Sequence, residues 1–574
     1  MERLEAKTIN GKQYYYYSNW GWKDGKCRRI WQKYLGKLED IVKAVEGGGP
    51  PPLYADVFQW GLPCALRKEV VRAQVVEVID GLCPKRDQGL STGQYLSIAA
   101  INRAMQPKSK RSMWDWFSQT ALLRFLPEAS KSALSSQRFW DHMDRVGADT
   151  AMQIWERILD KVVRREAIDL SSVSYDGTNF YTFIDTFNAR CSIAKRGKNK
   201  QGRSNLRQVS YALFCSSDGH MPLYYDVYEG NRNDAKEFPE ILKRFHEFLS
   251  ELCNGYCPEP KTTVVFDKGN NSKTNFTLLD SLEIGFVGSV KLEEHKDLAE
   301  ISNKDDRFQP YPLKRLEGTK GFRVHKEVYG KERTLVVTYN QNLYDAQWLT
   351  VQNDITKAME KLASVRGRLE NRAAGVIKQG KCPNKASVEA QCKSILKRQH
   401  MNRLIKREVT QGPDGIPRLS YDVDGEALRE LSETCLGKNI LITNRDDWDD
   451  ASIICAYRSQ YMIEAVFREM KDRCAGSWWP LNHWTDSKIR VHALYCTVAL
   501  LLRALALRRL RESGLSLCMT RFLSELNAVR EVVNIYPKKR GQKRARQQSV
   551  LTKTSELQEQ ILKILGIRKE EVAF

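Results

Sequence analysis

At 574 residues the chain is several times the size of one ordinary hydrophobic core, so three or more structural units are expected. Hydrophobic residues make up 42% and charged residues 28%, a balance that excludes a disordered chain. Lysine and arginine outnumber aspartate and glutamate by 92 to 70, for a formal charge of +22, so the expected partner is an anionic polymer, with nucleic acid ahead of an anionic membrane.

The apolar run from Ala493 to Leu502 ends at Arg503, well short of the roughly 20 residues a membrane span requires. The amino terminus, MERLEAKTING, carries charges at once and no apolar h-region, so a cytoplasmic protein is expected. The 14 cysteines include no Cys-x-x-Cys pair, and Cys253 and Cys257 have no clustered histidines, which predicts reduced, structural thiols.

In chain order, residues 1–46 mix Tyr14 to Tyr17, Trp20 and Trp22 with glycine turns, predicting a β-rich segment. The run from Gly47 to Pro52, GGGPPP, reads as a linker. Residues 53–165 show apolar spacings of three and four, as in Met152, Trp155, Ile158 and Val162, and predict a helical domain. Its Lys108, Lys110 and Arg111, followed by Trp114 and Trp116, suit a surface that binds DNA ends. From 166 to 290 the period changes to three strands, a helix and a strand ending at Asp267, the order of an α/β, RNase H-like mixed-sheet core. Residues 291–450 read as a long insertion, strands first and then helices from about Leu349 to Ile377. Residues 451–512 return to the core, and 513–574 form a helical basic region in which Lys538, Lys539, Arg540, Lys543, Arg544 and Arg546 stand without an acid among them.

Phosphodiester chemistry on DNA requires two divalent cations about 3.5–4 Å apart, held by a few convergent carboxylates. Asp176, in SVSYDGTNFY, is expected at a strand end where Gly177 permits a turn, and Asp267, in VVFDKGNNS, at the end of the fourth strand. A third carboxylate comes from AYRSQYMIEAVFREMK, read as one helix opening near the acidic cap DDWDDAS. At 100° per residue Tyr457, Gln460, Glu464 and Lys471 share a stripe about 60° wide, and Arg458 points away from it. The loop AKRGKNKQGRSNLR places Lys195, Arg196, Lys198, Lys200, Arg203 and Arg207 near Asp176 with no acid among them, as a phosphate-contact loop would require.

The spacing of Tyr457, Glu464 and Lys471 resembles the tyrosine, arginine, glutamate, lysine signature of bacterial insertion-sequence DDE transposases. YLGKLED, NRAMQPKSKRSMWDW, YEGNRND and DKGNNS are similar, in the same order, to blocks of the cut-and-paste branch of that family, so the resemblance covers nearly the whole chain. It implies a nucleoid-associated enzyme that cleaves transposon ends and transfers the strands into target DNA. It also implies Asp176, Asp267 and Glu464 as catalytic residues and ligands of two Mg²⁺ ions, for which Mn²⁺ substitutes. Double-stranded DNA and a second copy of the chain in a synaptic homodimer are the implied partners. Tyr457, Gln460 and Lys471 would contact DNA. Gln460 stands where the family pattern has arginine and cannot supply a fixed positive charge. That departure supports a second reading, a catalytically weakened DNA-binding protein derived from a transposase. A third is an RNase H-fold nuclease that cuts without joining.

Overall fold

The strand RQVSYALFCS, Arg207–Ser216, is buried at every residue after the first, the continuous pattern of a strand covered on both faces. It is the second of five strands that open the central sheet: β1 (Ser172–Thr182), β2 (Arg207–Ser216), β3 (Pro222–Glu229), β4 (Thr263–Val265) and β5 (Gly285–Val290). β2 lies antiparallel between β1 and β3, while β4 runs parallel to both β1 and β5. The resulting order, β3-β2-β1-β4-β5, is that of the expected RNase H-like core. The computed structural model describes residues 1–574 apart from 24, 47–50, 85–87, 199–201, 254–261, 474–475, 539–543 and 569–574.

Helices close the faces of this sheet. Between β3 and β4 runs α1 (Asp234–Cys253), whose Phe238, Ile241, Leu242, Phe245 and Phe248 recur at three and four residues and are buried. Phe245 stacks on Phe214 of β2 at 4.0 Å, and Phe238 meets Tyr175 of β1 at 4.8 Å. α2 (Lys273–Ser281) links β4 to β5 and is capped by the Ser272 hydroxyl, which accepts from Asn275 N.

The insertion divides in two. β6 (Thr319–Val328) and β7 (Lys331–Asn340) form a hairpin that joins the central sheet through β8 (Lys438–Thr443), which lies antiparallel between β7 and β5. The stretch between β7 and β8 has its own core, in which α3 (Gln341–Ala373) presents Val351, Ile355, Leu362 and Leu369 to the hairpin of Ile405–Gln411 and Pro417–Val423. α3 begins eight residues before the expected start, capped by Asn340, whose side chain accepts from Leu343 N.

After β8 the chain forms α4 (Asp450–Arg458), α5 (Tyr461–Lys471) and α6 (Asp486–Glu512). By length and composition α6 could cross a membrane, but 94% of its most apolar window is buried inside the protein, as in a core helix. Arg503, fully buried on α6, pairs with Glu469 of α5.

Residues 146–504 make up one compact unit, and residues 1–145 with 505–574 make up another. The second unit opens with a three-stranded antiparallel sheet, Glu2–Ile9, Lys12–Lys23 and Lys26–Gly36. Its helix Thr92–Met105 is buried almost throughout and starts with a reciprocal cap between Ser91 and Gln94. A second three-stranded sheet joins Tyr54–Gln59 to Arg530–Ile535 and Gln547–Leu551. The first of these strands lies in a stretch expected to be helical, and its partner is far away in sequence. The basic run near the carboxyl terminus connects the other two strands of this sheet. No disulfide is formed among the described residues.

Candidate active site

The register of the central sheet fixes the first two carboxylates. Ser174 of β1 pairs with Val265 of β4, and Val265 pairs in turn with Val287 of β5. Two residues further on come Asp176 in β1 and Ser289 in β5, on the face of Ser174 and Val287 because side chains alternate with a period of two, and Asp267 two residues after Val265. Asp267 lies just past the end of β4, as expected, and its carboxylate accepts from Lys268 N at 2.7 Å. Asp176 does not end its strand. β1 runs unbroken through it, with Asp176 opposite Leu213 and Gly177 opposite Ala212. Gly177 serves close packing instead of a turn: a Cβ there would lie 3.3 Å from the Tyr228 hydroxyl and 3.4 Å from the Asp234 carboxyl carbon.

α4 covers this face. Its Ile453 and Ile454 pack in one cluster with Val265, Val287, Leu441 and Leu316, and Tyr457 follows at its end. The Tyr457 hydroxyl donates to Ser289 Oγ at 2.8 Å. Burial pushes the Tyr457 phenol up, and the charges of Asp267 and Glu464 push it further, so it remains a proton donor.

The expected single helix is broken after Arg458. The Ser459 hydroxyl bonds back to the Ala456 carbonyl at 2.6 Å, and the amides of Gln460 and Met462 bond three residues back instead of four. α5 therefore starts at Tyr461, with Gln460 as its cap residue, 9% exposed. The four residues predicted to share a stripe separate. Tyr457, Gln460 and Glu464 line one cavity of about 600 Å³ together with Asp267. Lys471 instead donates to Thr178 Oγ1 of β1, two residues from Asp176 on the same face, with its ammonium 5.6 Å from the Phe180 ring. Arg458, expected to point away, lines the cavity as well. Its guanidinium bonds Thr319 Oγ1 at 2.6 Å and the Arg315 carbonyl at 3.1 Å.

Sequence reasoning missed the far wall of the cavity: Arg315, Glu317, Asn340 and Asn439. These come from the insertion and from β8, where no spacing motif marks them.

Asp267 and Glu464 are exposed and carry no ion pair among the described residues, although the chain is strongly basic. Among the described residues no three His, Cys, Asp or Glu side chains are gathered closely enough to hold a metal ion. The donor set is nonetheless all carboxylate oxygen, which suits a hard divalent cation that completes its shell with water and substrate phosphate. It is an open set of donors, not a preformed cage.

The basic segments are less uniform than their composition. Arg207 is occupied by backbone: its guanidinium donates to the carbonyls of Ala194, Asp185, Asn188 and Cys191 and staples the loop before β2. Lys195 and Arg196 form a two-residue strand against β2, and Arg196 also donates to Thr186 Oγ1. Lys198 is exposed, Arg203 lies over the Tyr181 ring at 5.0 Å, and Lys200 lies outside the described residues. Lys110, expected on a DNA-facing surface, is instead buried, its ammonium 5.1 Å from the Phe139 ring. Lys108 is half-buried and Arg111 exposed. Lys538, Arg544 and Arg546 are exposed, while Lys539, Arg540 and Lys543 lie outside the described residues. His483 and His492 are buried, and each meets the Tyr495 hydroxyl.

Among solved structures the chain is similar to the piggyBac transposase in a synaptic complex with hairpin DNA. The identity is 8% and the TM-score 0.35, over 83% of this chain and 82% of that one. It is also similar to the Mos1 transposase in a paired-end complex with the left transposon end, at 11% identity and a TM-score of 0.15, over 35% of this chain and 60% of that one. No curated protein matches the chain. The family model described as "Transposase DDE domain" matches residues 167–502, which span β1 to β8 and all three carboxylates. With more than half of its length matched, the chain belongs to the DDE transposase family, whose members cleave DNA and transfer strands with divalent metal ions.

Proposed function

We propose that Asp176, Asp267 and Glu464 are the catalytic carboxylates of a cut-and-paste transposase that cleaves double-stranded DNA at transposon ends and joins the freed ends to target DNA. The observation that carries this reading is the sheet register: Asp176 and Asp267 each follow by two residues a member of the Ser174–Val265 pair of neighbouring strands, and Glu464 shares a cavity with Asp267. Two Mg²⁺ ions, with Mn²⁺ as a substitute, would be held by these three residues and would supply activation of the attacking oxygen and stabilisation of the leaving oxygen.

The chain's own groups hold the DNA around that point. Tyr457 stays protonated and orders the cavity wall through Ser289. Lys471 brings a cation to β1 two residues from Asp176, where a scissile strand lying along the carboxylates would meet it. Gln460 offers a neutral amide to the same strand. The half-buried Lys195 and the exposed Arg196, Lys198 and Arg203, with Lys200, extend the contact along the phosphate backbone, and Arg111, Lys108 and the run from Lys538 to Arg546 add further contacts. Arg207 and Lys110 serve structure. We also propose that the enzyme acts as a homodimer on paired ends, in the cytoplasm of a bacterium at the nucleoid.

Incubating the full chain with an end-containing duplex and Mg²⁺ tests the reading. Metal-dependent nicking at the element boundary, followed by joined products with target DNA, is expected. Binding without cleavage in either Mg²⁺ or Mn²⁺ would favour the weakened DNA-binding protein, and cleavage without joined products would favour a nuclease.

A further inference from the structure

We infer that Arg315 supplies the fixed positive charge that Gln460 cannot, as the contact for a DNA phosphate held over Asp267 and Glu464. The inference rests on the active-site reading above. Arg315 lies on the short turn Lys314–Leu316, and its side chain is exposed on the wall of the cavity that Asp267, Gln460 and Glu464 also line. Two anchors fix the turn. Leu316 is fully buried, in one cluster with Val287, Leu441, Ile454 and Val265, the last residue of β4, two before Asp267. The Arg315 carbonyl accepts from the Arg458 guanidinium, which is tied in turn to Thr319.

The backbone of Arg315 is therefore held while its guanidinium is not. Two arginines line the cavity, and Arg458 is committed to Thr319 and to a backbone carbonyl. Arg315 has no hydrogen bond or ion pair from its side chain among the described residues. An unengaged guanidinium in the same cavity as two carboxylates that form no ion pair among the described residues is placed for a third, anionic party that spans both. A phosphodiester has that chemistry: its free oxygens suit the guanidinium fork, and its reacting oxygens belong beside the carboxylates. Gln460 is nearly buried at the start of α5 and offers an amide without charge.

The test is single-turnover cleavage of one end duplex by the full chain, with thermal unfolding measured in parallel. Arg315→Ala is expected to cut roughly tenfold to a hundredfold more slowly, the worth of a charge-assisted hydrogen bond made in the transition state. Its unfolding should be unchanged, because the side chain is exposed and Leu316 is intact. Arg315→Lys, which keeps the charge and loses the fork, should fall between. The decisive variant is Arg315→Ala with Gln460→Arg, in which an arginine elsewhere in the same cavity should recover most of the lost rate. Wild-type cleavage by Arg315→Ala overturns the proposal, and so does a slow Arg315→Ala that Gln460→Arg leaves equally slow. Asp267→Asn separates the two levels: if it cuts like wild type, the active-site reading itself fails and the role of Arg315 falls with it.

Discussion

Asp176 and Asp267 each follow by two residues a member of the Ser174–Val265 pair, which joins the adjacent parallel strands β1 and β4. Asp176 is half-buried in the middle of β1, and Asp267 is exposed just past the end of β4. Asp176→Asn, Asp267→Asn and Glu464→Gln should each lower end cleavage by roughly a thousandfold, the several kcal/mol that metal-borne charge stabilisation supplies. Affinity for the same duplex in a gel-shift titration should change by no more than a few-fold. A variant that still cuts at the wild-type rate would remove its residue from the site.

The Arg503–Glu469 pair tests how the core supports α5. Arg503 is fully buried and the side chain of Glu469 is 23% exposed. Arg503→Met leaves Glu469 without its partner and should cost about 3 kcal/mol, the lower end for a broken buried pair, because Glu469 still reaches water. Adding Glu469→Gln should restore part of that loss. Urea unfolding of the three proteins reads both effects, and equal midpoints for wild type and Arg503→Met would show the pair to be energetically neutral.

What the sequence made legible was whatever local chemistry decides. The strand before Asp267 shows in TTVVFD, and the spacing from Tyr457 to Glu464 survives the break in the helix because both residues still reach the cavity. The break itself turns on one serine hydroxyl bonding backwards, which leaves no mark on apolar periodicity. Strand Tyr54–Gln59 was hidden for another reason: its partner, Arg530–Ile535, is separated from it by most of the chain, and non-local pairing leaves no short-range pattern. Lys110 read as a surface cation because charge usually marks the surface, yet its ammonium is itself buried over the Phe139 ring. Arg315 could not be found from spacing, since its place follows from Leu316 entering a core assembled from β4, β5, β8 and α4.

His142 gives the amino-terminal unit a pH dependence. Its ring stacks on Tyr95 at 4.1 Å, and Nδ1 lies 3.0 Å from the Thr92 hydroxyl. Burial, aided by the neighbouring Arg145, lowers its pKa from 6.5 to about 4. The unfolded chain therefore takes up a proton between pH 6.5 and 4 that the folded chain refuses. The contribution to stability is present above pH 6.5 and is lost as the pH falls through about 4. Against His142→Gln, which has no such titration, the wild type should lose of order 2 kcal/mol over that window, after allowance for the ring's partial exposure. Parallel denaturation curves at pH 7 and pH 4.5 measure the difference, and a constant gap between the proteins would contradict the lowered pKa.

The run from Lys538 to Arg546 connects two strands of a three-stranded sheet, and it is there that the long-range attraction to DNA can be separated from the chemistry. Arg546 lies over the Tyr536 ring at 5.2 Å, and its carbonyl accepts from Tyr536 N, so the base of the connection is ordered by contacts that need no nucleic acid. Lys538, Arg544 and Arg546 are exposed and none of them forms an ion pair among the described residues, which leaves their charge available to phosphates. Each phosphate that such a cation neutralises releases counterions, so the slope of log affinity against log salt should flatten by about 0.9 for every contact removed. Replacing Lys538, Lys539, Arg540, Lys543, Arg544 and Arg546 together by glutamine should reduce the slope by several units while cleavage at saturating protein stays close to wild type. A neutralised hairpin with the wild-type slope would show that these cations face solvent only, and that the salt dependence arises elsewhere on the chain.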